Sequence, residues 1–129
     1  MKRSTILLAT AALVLAVSAP SVLASGGSGT RIVLKAARAF PAAKGSAKFK
    51  ATAEERELQV EVEPIRRLAG KRVVFFVARK KLGTRKVNVF GAAPIERNTE
   101  RGQFVPGVSA GTNVTVRTAA GALIVRGSF

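Results

Sequence analysis

Cysteine, histidine, aspartate, tryptophan and tyrosine are absent from this sequence. Without histidine and cysteine there is no general base that titrates near neutrality, no thiolate nucleophile and almost no transition-metal ligand set. Serine, threonine, lysine and seven glutamates remain; they permit Ser–Lys or paired-carboxylate chemistry, yet no local motif for either stands in the chain. Glu61 and Glu63 come nearest to a carboxylate pair, but two positions apart on a strand they share one face, whereas a working pair converges from different elements across a cleft. These gaps argue against an enzyme, a metal centre or a cofactor, and they leave no catalytic residue to nominate. The lack of cysteine also removes disulfide staples. A chain of this size can bury about 60–70% of its unfolded surface, enough for a core held by packing alone.

What is present begins with an address. Lys2 and Arg3 precede an apolar run from Ile6 to Val17, and Val22-Leu23-Ala24 satisfies the small-residue cleavage rule. Residues 1–24 are therefore expected to be a signal peptide, residues 25–29 (SGGSG) a flexible leader, and residues 30–129 a single β domain. The leader lacks the Gly-Lys-Ser/Thr ending that cradles phosphate. Export places the mature chain outside the cytoplasm, in the medium, a periplasm or the cell envelope, with no transmembrane span. Removing Lys2 and Arg3 from the 22 basic residues leaves 20 against seven acidic ones, a net charge of +13. Such a field favours polyanions: acidic polysaccharide, wall polymer, an anionic lipid surface or extracellular DNA.

The secondary structure is legible in period-two stretches. Ala47, Phe49 and Ala51 alternate with lysines and threonine, and Leu58, Val60 and Val62 alternate with Gln59, Glu61 and Glu63, so each reads as a half-buried strand. A tip at Glu54-Glu55 sets Phe49 opposite Val60 and Lys48 opposite Glu61. A closing hairpin has Val114 and Val116 on one strand, Leu123, Val125 and Phe129 sharing one side of the other, and Val116 opposite Val125. Further strands are expected at 31–37, 72–78, 84–90 and 92–98, with glycine and proline in the gaps. Seven or eight short strands imply an all-β fold: a small antiparallel β-sandwich, with a small β-barrel as the alternative. Strands of about seven residues and the missing Tyr and Trp girdles count against an outer-membrane barrel. Asn113-Val114-Thr115 matches a glycosylation sequon, a weak signal inside a strand.

The stretch ARKKLGTRK, residues 78–86, follows VVFFVA, which is apolar on both faces. Flanking an aggregation-prone strand with charge is a protective device, so these cations read first as gatekeepers on a solvated hairpin tip. The candidate polyanion contacts are Arg79, Lys80, Lys81, Arg85 and Lys86, with Arg66 and Arg67. The two basic ends of a 72–78 strand would lie about 20 Å apart, which suits diffuse attraction rather than a shaped pocket. Phenylalanines placed on core faces leave few rings for base stacking, so specific nucleic-acid recognition is not expected.

From Gly45 to Phe129 the segments GSAKFK, ELQVEVE, LAG, KKLGTRKV, IERNTERG, VPGVSAGTNVTVRTAAG and GSF together resemble a group of small exported bacterial all-β proteins of no established activity. The resemblance implies a fold and transfers no reaction. A departure stands at Ala78-Arg79-Lys80, where such proteins often carry Asn-Gly; it argues against a tight type I′ hairpin and makes the extra charge a feature of this chain. The expectation is a non-catalytic basic binding module. Two alternatives stand beside it: an assembly module docking through strand 73–78, and a hydrolase using Ser or Glu.

Overall fold

Alternation of apolar and polar side chains produces eight strands, and a computed structural model describes them within residues 29–129. The expected signal peptide at residues 1–24 and residues 25–28 of the expected leader lie outside the described residues. The strands are β1 (Thr30–Ala36), β2 (Lys44–Ala51), β3 (Arg56–Glu63), β4 (Arg72–Val77), β5 (Lys80–Lys86), β6 (Ala93–Asn98), β7 (Asn113–Thr118) and β8 (Leu123–Ser128). Short 3₁₀ turns occupy Arg66–Leu68 and Thr99–Arg101. All the pairings are antiparallel, and the order across the sheet is β5-β4-β7-β8-β1-β2-β3-β6.

One continuous sheet thus wraps around one core, and its two outer strands, β5 and β6, come to lie against each other without a hydrogen-bonded ladder between them. The result is a nearly closed barrel. The wrapping is achieved at β1, whose residues 30–34 pair with β2 while Lys35 and Ala36 pair with β8. Leu34 sits at that corner between two glycines. A Cβ on Gly45 would come within 3.0 Å of Leu34 Cβ, and one on Gly127 within 2.8 Å of Leu34 Cδ2 and 2.9 Å of the Val33 carbonyl, so both neighbours must be glycine for the sheet to bend this tightly.

The core is the inward row of every strand: Leu58, Val60 and Val62 on β3, Val73, Phe75 and Val77 on β4, Val114 and Val116 on β7, Ile124 and Val125 on β8. No polar or charged side chain among the described residues is fully buried, so packing alone holds the fold together. A strap formed by residues 99–112 delivers Val105 and Pro106 into one end of the core.

Several registers differ from expectation. The β2–β3 loop closes earlier than a Glu54-Glu55 tip would allow, because the Thr52 hydroxyl accepts the amides of Glu54 and Glu55 while its own N–H donates to the Glu55 carbonyl. Phe49 therefore faces Leu58 and Lys48 faces Gln59. The cross-strand ion pair is Lys50–Glu57 at 3.6 Å. The parity survives, so the same side chains still face inward. In the closing hairpin Val116 does face Val125, but a bulge beyond it turns Ile124 into the core in place of Leu123.

The strand expected at 84–90 is instead Lys80–Lys86. Ala78 and Arg79 adopt φ of 52° and 67°, the two left-handed residues of a tight primed turn, so β5 starts at once and KKLGTRK is a strand rather than a tip. Asparagine and glycine are not needed to make the turn, contrary to what their absence suggested.

Candidate functional site

The turns of the barrel define two ends. One, the hairpin end, carries the loops at 52–55 and 78–79 and the 99–112 strap; the other carries the connections at 37–43, 64–71, 87–92 and 119–122. Glutamates gather towards the hairpin end, where most of them are engaged. Glu57 pairs with Lys50, Glu96 lies 3.9 Å from Arg101, and Glu55 accepts from Asn98 Nδ2 at 2.9 Å. The neighbouring Glu57 carboxyl first, then the Gln59 amide that donates to Glu96 Oε2 at 2.9 Å, and more weakly the field of Arg101 hold the Glu96 carboxyl below its ordinary range, against an opposing effect of burial that exceeds that of Arg101.

The opposite end is different. Arg66 and Arg67 sit in its 3₁₀ turn, Lys71 follows, and Arg72 and Lys86 are cross-strand partners. The segments are tied together by Gly70 N–H to the Val87 carbonyl and Val87 N–H to the Lys71 carbonyl, both 2.8 Å. Glu63, opposite Lys44, and Glu61, beside Pro94 on the same outward row of β3, are the carboxylates nearest this end among the described residues. Arg67 lies 4.2 Å over the Phe40 ring and donates to the Ala39 carbonyl. Arg66 and Arg67 rim a shallow, mostly apolar cleft of about 360 Å³ floored by Phe40, Pro41, Ala43 and Ile65.

The nominated cations therefore fall into three places. Arg79, Lys80 and Lys81 stand at the hairpin end, with Lys80 Nζ 5.9 Å from the Phe104 ring. Lys86, Arg66 and Arg67 meet at the opposite end, where Lys71 and Arg72 join them. Arg85 belongs to neither: it occupies the inward row of β5, between Gly83 and the buried Val87, and faces the seam with β6. Arg97 reaches into the same seam from β6, its guanidinium lying over Gly83. Burial, and then the neighbouring Arg85 charge, lower the Arg97 pKa from its ordinary value.

Because β5 is an outer strand, its lysines line an open margin and deter pairing with another chain. β4, the apolar strand they follow, is hydrogen-bonded on both sides and offers no free margin. Linear spacing already sets Arg66 and Arg67 near Lys71 and Arg72; what it does not place is Lys86, which comes opposite Arg72 only because β5 starts at Lys80. No protein-family model, curated protein or solved structure matches the chain.

Proposed function

We propose that the protein is an exported, envelope-associated module that binds polyanions without catalysis, through the end of the barrel that carries Arg66, Arg67, Lys71, Arg72 and Lys86. The observation that supports this reading is the gathering of cations on adjoining segments: Arg66, Arg67, Lys71 and Arg72 lie within seven residues of chain, Lys86 stands opposite Arg72, and among the described residues none of the five forms an ion pair. Guanidinium groups at three of these positions suit forked contacts with phosphate, sulfate or carboxylate, and the two lysines add point charge. Affinity built this way falls steeply as salt rises.

Retention on an immobilised acidic polysaccharide, measured across a salt series, tests the assignment. Arg66→Gln/Arg72→Gln/Lys86→Gln is expected to lower both retention and its salt dependence, by about one unit of log–log slope for each cation that no longer meets an anionic group. Arg79→Gln/Lys80→Gln/Lys81→Gln removes the same charge from the hairpin end and is expected to change them less. Equal effects would mean that net charge acts without a site.

A further inference from the structure

Two of the most exposed large apolar side chains in the protein are neighbours. Val89 is 79% and Phe90 73% accessible, and both stand on the 87–92 connection at the cationic end. Their exposure is built in rather than accidental. Asn88 Oδ1 accepts the amides of Phe90 (2.9 Å) and Ala92 (3.0 Å), and Asn88 N–H donates to the Ala92 carbonyl. The Gly91 carbonyl in turn accepts from Ile65 N–H at 2.8 Å, and a Cβ on Gly91 would lie within 2.9 Å of Arg66 and Ile65 atoms. This bonding pins the turn against the 3₁₀ segment that carries Arg66 and Arg67, and it holds the two side chains away from the core.

A large apolar pair presented on a fixed turn beside unbalanced cations has the chemistry of a membrane-surface anchor: rings and methyls enter the headgroup–acyl boundary while the cations rest on lipid phosphates. An acidic polymer in water would reward the charges but not the exposed Val89 and Phe90. We propose that Val89 and Phe90 insert into the surface of an anionic bilayer, with Arg66, Arg67, Lys71, Arg72 and Lys86 engaging its phosphates. This inference rests on the polyanion reading and names the partner. The protein lies on such a bilayer, and among the described residues no helix is long and apolar enough to cross one.

The test is co-sedimentation of the folded protein with phosphatidylcholine vesicles and with vesicles containing phosphatidylglycerol, read beside retention on the acidic polysaccharide. Wild type is expected to sediment with the anionic vesicles only. Val89→Ser/Phe90→Ser should weaken that partition on the order of tenfold with polysaccharide retention unchanged, since both side chains are already in water and their loss leaves the fold intact. Because the chain has no Trp or Tyr, Phe90→Trp supplies a lone reporter, whose emission should shift to the blue on anionic vesicles and be quenched by brominated acyl chains. Retention on the polysaccharide with no sedimentation on anionic vesicles, or a serine variant that sediments like wild type, would overturn the membrane assignment and leave the polyanion reading standing. Failure on both supports would overturn the reading itself.

Discussion

Substitution at the Ala78-Arg79 turn probes the passage from β4 to β5 most directly. An L-residue held in the left-handed region costs about 1–2 kcal/mol, and here two in succession, at φ 52° and 67°, carry that strain. Arg79→Gly removes the steric term but adds about 0.5–1 kcal/mol through the looser unfolded chain, for a net gain of about 0.5–1 kcal/mol. Ala78→Asn gains a few tenths more, because asparagine visits this region more readily than alanine. Asn-Gly at 78–79 should thus stabilise the domain by about 1 kcal/mol, equivalent to a midpoint about 4–8 °C higher for a domain of this size. Thermal unfolding followed by far-ultraviolet circular dichroism reads this shift, with Arg79→Lys as the control that keeps both strain and charge. An unchanged or lowered midpoint in the Asn-Gly variant would refute the primed turn and, with it, a β5 that starts at Lys80.

Arg97→Met removes one of two unpaired guanidiniums from the β5–β6 seam and keeps the aliphatic stem over Gly83; stability should rise by about 0.5 kcal/mol, and the wild type's gain in stability with added salt should shrink in denaturant titrations. Glu96 is held more acidic in the fold than its ordinary 4.5, so its contribution is present above that pH and is lost as pH falls through the lower folded value; Glu96→Gln should be slightly less stable than wild type at pH 7, with the difference closing in acid. Gly127→Ala pushes a methyl against the Val33 carbonyl and Leu34 and should cost about 1–3 kcal/mol, more than Gly107→Ala, where an added Cβ meets nothing nearer than Arg56 Nη1 at 3.9 Å.

Much of the wall is legible in the chain and much of the site is not. Side-chain alternation marks β2, β3 and β7 because each has one wet and one dry face, and it sets the correct inward rows even where the β2–β3 register slips; β4 is legible instead as a short run apolar on both faces. The slip comes from Thr52, whose hydroxyl shortens the loop by bonding backbone amides, an effect that apolar periodicity does not carry. β5 lies earlier than alternation implies because its turn uses neither asparagine nor glycine, and because Val87 is buried by its bond to Lys71 rather than by belonging to a strand. Ile124 is hidden from such a reading because a bulge breaks the period at the position where it turns inward. At the cationic end the chain itself sets Arg66, Arg67, Lys71 and Arg72 near one another, and Lys86 joins them opposite Arg72 through the tight turn that apolar spacing does not reveal.

The unlaced margin between β5 and β6 has a consequence for the crowded medium into which such a chain would be exported. A wall that never fully closes keeps two ribbons able to accept a stranger, so remaining solitary depends on how uninviting those ribbons are. One bristles with Lys80, Lys81 and Lys86; the other interrupts its amide row at Pro94 and thrusts Arg97 inward. Strip away both defences and copies of the protein would be free to stack rib to rib into an open-ended fibre.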